Sequence, residues 1–378
     1  MDTALATPLL GGLSPQVFMR RHWQKKPLLV RQAVPGGLRL IERSRLFEMV
    51  AADEVESRLI VRKAGRWSLR AGPMKRSALP PLKQREWTLL VQGLDLHVPA
   101  ARALLERFRF VPDARLDDLM ISYASDGGGV GPHVDSYDVF LLQGEGRRRW
   151  RIGRARSSAL VAGMPLKILA NFEPKQEFLL EAGDMLYLPP GWAHDGVAEG
   201  ECTTCSIGFR APGAGEIGRD VLQRMLDAAD ADAAGSLYRD AGQAATASPG
   251  EIPAALEAFA ADAVARLLRD PRALACALGE VLSEPKRGVW FDAIGDSAAA
   301  EFGAGVRLDQ RTRMMFDAQH VFINGESFRA AGRDARLMRR LADERRLEAR
   351  QLGGLSQGAL ALVGEWFSAG WLRHGDST

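Results

Sequence analysis

Three residues in this chain have the types and spacing to hold one transition metal. His133 and Asp135 flank Val134, and His194 ends the run Pro189-Pro190-Gly191-Trp192-Ala193-His194. Two imidazoles and one carboxylate on one face of an ion are the ligand set of non-haem Fe(II) oxygenases. Such a set leaves positions open for a bidentate co-substrate and for O₂. Zinc accepts the same donors, but zinc peptidases commonly carry two histidines on a helix. Here the first pair sits in a strand-like stretch, which favours iron and oxygenation.

Side chains alternate across a strand, so His133 and Asp135 point the same way while Val134 points away. The loop before them, Gly127-Gly128-Gly129-Val130-Gly131-Pro132, can bring backbone close to a ligand without side-chain obstruction. The segment from Gly183 to Trp192 reads as turn, strand, turn, and it returns the chain to the mouth of a barrel with His194. An oxygenase of this kind draws two further electrons from a co-substrate. The consecutive Arg147, Arg148 and Arg149 offer a guanidinium for a co-substrate carboxylate. Alternation turns either Arg148 alone or Arg147 with Arg149 inward, and spacing does not choose between them. Cys202-Thr203-Thr204-Cys205 lacks the second pair a zinc ribbon needs, and both cysteines read as strand residues.

The chain has 378 residues, 46% hydrophobic and 26% charged, as expected of a globular protein with two or three domains. The formal net charge of +3 argues neither for nor against nucleic acid. The arginines between Arg307 and Arg350 read as a solvated helix face, with an RNA-binding surface as the alternative. The N-terminus lacks the basic lead and apolar core of a signal peptide, and no apolar run is long enough to span a bilayer. Three cysteines, an odd number in a large chain, fit a reducing compartment. A cytoplasmic location without membrane contact is expected.

Up to residue 212, short apolar runs punctuated by Gly and Pro predict β-strands joined by turns. From Ile217 the apolar residues Val221, Leu222, Met225 and Leu226 recur at helical spacing. From about residue 285 short helices accompany Val321–Phe328, whose Asn324-Gly325 predicts a tight hairpin. That combination resembles a winged helix. The expected architecture is α+β, with boundaries at 1–212, 213–284 and 285–378.

The block Asp117–Gly153, DDLMISYASDGGGVGPHVDSYDVFLLQGEGRRRWRIG, resembles the Jumonji-C oxygenases of the cupin superfamily. Together with Arg21–Leu28, Trp87–Gln92 and Ser206–Pro212, it is most similar to the bacterial ribosomal oxygenases. Members of that family hydroxylate an arginine side chain of large-subunit ribosomal protein L-sixteen. The resemblance implies a double-stranded β-helix over 1–212, a helical dimerisation region over 213–284 and a winged helix over 285–378. It implies a homodimer, and Fe(II), 2-oxoglutarate and O₂ as the reagents. It assigns His133, Asp135 and His194 to the metal and Arg148 to the distal carboxylate of 2-oxoglutarate.

The family's second carboxylate contact is a small hydroxyl residue just before the glycine loop. The matching position here is Ala124, which directs attention to its neighbours Ser122 and Ser125. Tyr123 reads either as a core residue or as a phenol in the pocket. For the substrate arginine, Tyr137 shares the face of Asp135, and Asp126, Asp138 and Ser206 are candidate guanidinium contacts. Two other readings are the same chemistry on a histidine or a methyl-lysine, and a non-catalytic cupin joined to a nucleic-acid-binding winged helix.

Overall fold

The computed structural model describes residues 2–155, 157–229, 237–245, 248–293, 302 and 304–375. The chain divides into two units, Met1–Ala211 and Pro212–Thr378.

The first unit begins with α1 (Pro15–Arg21), β1 (Leu28–Val30), α2 (Arg43–Met49), β2 (Ser57–Lys63), β3 (Arg66–Ala71) and β4 (Trp87–Val91). It continues with α3 (Pro99–Glu106), β5 (Leu116–Ala124), β6 (His133–Val134), β7 (Val139–Arg154), β8 (Gln176–Glu181), β9 (Met185–Leu188) and β10 (Trp192–Phe209). All pairings are antiparallel, in the order β1-β9-β7-β10-β5-β4-β2-β3, with β6 on β10 and β8 on β7.

The two long central strands change partners along their length. The first part of β7 pairs with β9 and the second with β8. Strand β10 pairs β6 near its start and β5 near its end. The change falls where the β7–β10 register slips between Glu199 and Thr204, beside Gly146 at φ +66°. A Cβ on Gly146 would lie 2.2 Å from the Glu201 carbonyl oxygen, so only glycine passes this bend.

Strand alternation then sorts the side chains into two interiors. Phe140, Leu142, Met185 and Tyr187 join Phe18, Trp87 and Phe108 in one core, closed by α1 and α3. Their neighbours Val139, Leu141, Leu186 and Leu188 join Trp150 and Ile152 in a second core inside the roll. In β5, Leu119, Ile121 and Tyr123 belong to the first core, while Asp118, Met120 and Ser122 line a cavity. Tyr123 is therefore a core residue, packed between Phe47 and Trp87.

The second unit contains α4 (Ala214–Ala229), α5 (Ala254–Leu268) and α6 (Pro271–Ser283). Next come β11 (Val306–Leu308), β12 (Met314–Phe316), β13 (His320–Ile323), β14 (Glu326–Arg329), α7 (Gly332–Glu344), β15 (Arg346–Leu347), α8 (Ala349–Leu352), α9 (Gln357–Ser368) and β16 (Leu372–His374). Strands β12-β13-β14 and β15-β11-β16 form two small sheets, and Met338 and Leu341 of α7 pack with Trp366 and Phe367 of α9 in one core. Asn324 at φ +48° and Gly325 at φ +90° join β13 to β14 through the expected two-residue turn. No helix among the described residues is long and apolar enough to cross a membrane.

Candidate metal centre

His133 in β6 and His194 in β10 are direct cross-strand partners, and their rings stand 4.2 Å apart. Asp135 lies one residue beyond β6, where its carbonyl accepts from Gly191 N and ties the two segments together. Asp135 Oδ1 is 3.9 Å from His133 Nε2, and Oδ2 is 3.6 Å from His194 Nε2. Two atoms that each bond one ion at about 2.1 Å can be no more than about 4.2 Å apart, so these pairs fit a shared ion. One ligand atom from each of the three residues lies within 4.8 Å of the others.

The outer nitrogens are also committed in the way a metal site requires. His133 Nδ1 is 2.9 Å from the Gly131 carbonyl, and His194 Nδ1 is 3.1 Å from the Trp192 carbonyl. Each carbonyl accepts the Nδ1 proton and leaves the Nε2 lone pair facing the cluster. Burial, and then His133, lower the pKa of His194 to about 3, so its imidazole is neutral and able to ligate. Burial raises Asp135, and His133 partly offsets that rise.

Trp150 packs 5.7 Å from the His194 ring. It has room because the residue opposite it is Gly196, where a Cβ would come within 2.7 Å of the indole.

The triad opens into a cavity of about 450 Å³ that also holds Arg58, Gln92, Asp117, Asp118, Met120, Ser122, Tyr137, Arg148, Thr204 and Ser206. Among the arginines of the run, Arg148 turns inward. It is 4% exposed, and its Nε and Nη2 have no hydrogen-bond partner among the described residues. Arg147 is exposed, and Arg149 leaves the interior to bridge Glu177 and Glu199. A buried guanidinium with free donors is costly unless an anion completes it.

Asp118, on the other wall, accepts from Gln92 Nε2 at 2.6 Å and from Gly93 N at 3.0 Å. Gln92 in turn accepts from Arg58. Desolvation, then Asp135, Asp118 and Asp117, raise the Tyr137 phenol above its ordinary value and keep it protonated.

Of the expected site residues, His133, Asp135, His194, Arg148, Tyr137 and Ser206 therefore share one cavity. Three do not join them. Ser125 exchanges hydrogen bonds with the backbone of Trp87, because it lies past the end of β5 where the chain turns away. Asp126 pairs with Arg85 and accepts from Gly200 N, on the outer side of the glycine loop. Asp138 is buried among Tyr187, Gln24 and Arg115. Besides Tyr137 and Ser206, the cavity is lined by the hydroxyl residues Ser122 and Thr204, cross-strand partners on β5 and β10. Asp117, Asp118 and Thr204 escaped the sequence reading. Counting back by twos from Ala124 marks Ser122, Met120 and Asp118 as one face, but spacing alone gives no sign of where Thr204 pairs.

The chain is similar to known proteins in both of its units. Residues 103–217 match the JmjC domain model, and residues 266–373 match the ROXA-like winged helix model. Solved ribosomal oxygenase YcfD of Escherichia coli superposes with a TM-score of 0.82 at 29% identity, over 95% of this chain and 97% of that one. The chain belongs to the bacterial ribosomal oxygenases of the JmjC family.

A second structure of that JmjC protein, in complex with cobalt and 2-oxoglutarate, superposes with a TM-score of 0.76 at 29% identity, over 96% of this chain and 98% of that one. Among curated ribosomal oxygenases, the ribosomal protein uL16 3-hydroxylase of Escherichia coli is 38% identical over 243 residues, 62% of each chain. A probable ribosomal oxygenase of Haemophilus influenzae is 36% identical over 205 residues, 53% of this chain and 50% of its own. The matched stretch thus spans between half and two thirds of those curated relatives.

Proposed function

We propose that this chain is an Fe(II)- and 2-oxoglutarate-dependent oxygenase that hydroxylates an arginine side chain of ribosomal protein uL16, the large-subunit protein L-sixteen. The observation that carries the reading is the unpaired, buried Arg148 guanidinium in the same cavity as the His133, Asp135 and His194 cluster. A protein that only binds a partner gains nothing from a buried cation without a counter-charge.

The three ligands would hold iron, which supplies activation of O₂ when bound. Arg148 takes the distal carboxylate of 2-oxoglutarate through paired N–H donors. The Ser122 hydroxyl, 3.3 Å from the Thr204 carbonyl, lines the same cavity and would turn its proton to that carboxylate, whereas Thr204 donates to Gln143. Val139, Leu141, Trp150 and Met120 keep the interior apolar, which excludes water from the reacting bond.

A guanidinium entering from the open side meets Asp118, held in place by Gln92 and the Gly93 amide, with Asp117, Tyr137 and Ser206 nearby. These carboxylates favour a cationic side chain over the neutral imidazole of a histidine substrate. They would hold that side chain in place beside His133, Asp135 and His194. The test is turnover of a uL16 peptide, followed as succinate formed and as one oxygen gained by mass spectrometry. His133→Ala and Asp135→Ala should abolish both signals, and normal turnover in either variant sinks the proposal. Unmodified uL16 in wild-type ribosomes, identical to that of a deletion strain, sinks the choice of substrate.

The proposal extends to the rest of the chain. Residues 1–212 form the catalytic domain, 213–284 a dimerisation region and 285–378 the winged helix. Leu222, Leu226, Leu274 and Leu278 stand exposed on α4 and α6, a face that a second copy of the chain would cover. A substrate that is a component of the ribosome would put the enzyme in the cytoplasm.

A further inference from the structure

Charge in this chain is segregated in a way the active site does not use. Between Ser57 and Arg85 stand nine Lys or Arg and no Asp or Glu. Elsewhere 41 Lys and Arg face 47 Asp and Glu, so the remainder of the molecule is net acidic. The cationic stretch is the β2–β3 hairpin and the segment that follows it. Strand β3 is the last strand of the sheet.

Cross-strand register fixes which cations act together. Lys63 stands directly opposite Arg66, and Arg70 opposite Leu59. Leu59 faces the buried core, so Lys63, Arg66, Ser68 and Arg70 share its face, and the three cations project beyond it into solvent. None of the three is in ionic contact with a carboxylate among the described residues. Like charges directly opposite one another on a strand pair are destabilising. Arg66 and Arg70 are separated along the strand by roughly 13 Å, enough to touch successive anionic groups rather than one. Lys75, Arg76 and Lys83 follow, all exposed. The hairpin's other face carries Arg58, Ile60 and Leu69 at the cavity wall, and Trp67 with the Arg62 guanidinium 5.5 Å from its ring.

We propose that the β2–β3 hairpin is an RNA-binding surface, with Lys63, Arg66 and Arg70 on the phosphates. A repeated polyanion is the partner that removes the mutual repulsion of these cations. A basic ribosomal-protein segment would be repelled here and drawn to Asp117 and Asp118. The charge pattern thus separates an anionic partner from a cationic substrate within one catalytic unit. The choice of RNA over other polyanions rests on the ribosomal-oxygenase reading, whereas the surface itself rests on charge and register. Edge strands often carry a lysine to discourage pairing with other chains. That role does not call for the cations that continue beyond the strand, Lys75, Arg76 and Lys83.

The test uses the full-length protein and a short fluorescein-labelled single-stranded RNA of mixed sequence, with anisotropy recorded across a potassium chloride series. Binding should weaken steeply with salt. The triple substitution Lys63→Glu, Arg66→Glu, Arg70→Glu should cost at least about tenfold in affinity and flatten the log–log salt slope by about 2, three contacts at about 0.7 each. The milder Lys63→Gln, Arg66→Gln, Arg70→Gln variant guards against misfolding, with melting monitored by circular dichroism. Turnover of a free uL16 peptide should be unchanged in both variants. The proposal falls if wild-type protein shows no salt-sensitive RNA binding, or if the variants bind RNA with unaltered affinity and slope. It also falls if the variants lose peptide turnover or self-associate while still binding RNA. Those outcomes would make the hairpin a peptide dock or a protected edge. Failure of the oxygenase reading would appear instead as absent peptide turnover in wild-type protein, independent of the anisotropy.

Discussion

Arg148 is the side chain on which the proposed co-substrate pocket rests, and its setting predicts opposite effects on stability and on binding. Its guanidinium is buried with two nitrogens unpartnered, so the protein free of 2-oxoglutarate bears the cost of a desolvated charge. Replacing it by a methionine of similar length removes that cost. Arg148→Met is therefore expected to melt no lower than wild type, by calorimetry without co-substrate. The same substitution should weaken 2-oxoglutarate about ten- to a hundredfold in isothermal titration, the scale of a lost charge-assisted hydrogen bond. A large fall in melting temperature with unaltered co-substrate affinity would assign Arg148 a structural role. Asp118 is its counterpart on the other wall. Asp118→Asn keeps the acceptor for Gly93 N and removes the charge, so KM for a uL16 peptide should rise with little change in affinity for 2-oxoglutarate.

At the scale of elements, the site depends on strands packed closely enough to leave no spare volume. Gly196 on β10 lies opposite Trp150 on β7, and a Cβ there would sit 2.7 Å from the indole. Gly196→Ala must displace the Trp150 ring, which packs 5.7 Å from that of His194. A loss of about 1–3 kcal/mol in urea unfolding is expected, the usual cost of overpacking, together with weaker metal binding in a chelator competition. In the second unit, Asp309 holds β11 to its surroundings. It accepts from Arg311 N, from the Arg311 guanidinium at 2.9 Å and from Arg373 at 2.9 Å. Burial raises its pKa, and the bonds from Arg311 and Arg373 more than reverse that, leaving a net lowering. A carboxylate depressed on folding adds stability above its unfolded pKa of about 3.9, and that stability is lost as pH falls through the lower folded value. The stability gap between wild type and Asp309→Asn should be full at neutral pH and should close in acid below about pH 4. A gap that instead widens in acid contradicts this account.

For the molecule as a whole, the second unit keeps part of its apolar surface in solvent. Val221 and Met225 of α4 are buried with Ala277 of α6, while Leu222 and Leu226 on the adjoining side are 46% and 50% exposed. Burial by a second copy predicts a dimer at micromolar concentration. Leu222→Glu with Leu226→Glu should shift sedimentation toward monomer without unfolding α4. A clean monomer for wild type overturns the dimer. The charge segregation of the β2–β3 hairpin belongs to this scale as well, because it is visible only against the acidic balance of the remaining chain.

Much of the site was legible in the residues. His133, Asp135 and His194 declare a ligand set by type, and alternation limited the inward-facing arginines to two patterns. Asn324-Gly325 announced its hairpin because few other residues accept positive φ twice in succession. The sequence by itself determined the chemistry available, since donor atoms and strand period are local properties. Tertiary structure decided which local options became one cavity. It turned Arg148 inward, brought Ser122 beside Thr204, and placed Asp118 in the same cavity as the metal ligands. It also carried Ser125 and Asp126 out of the site, although they lie next to the strand that lines it. Cross-strand register and the end of a strand depend on partners far away in the chain, and those long-range pairings have no signature in the spacing of neighbouring residues.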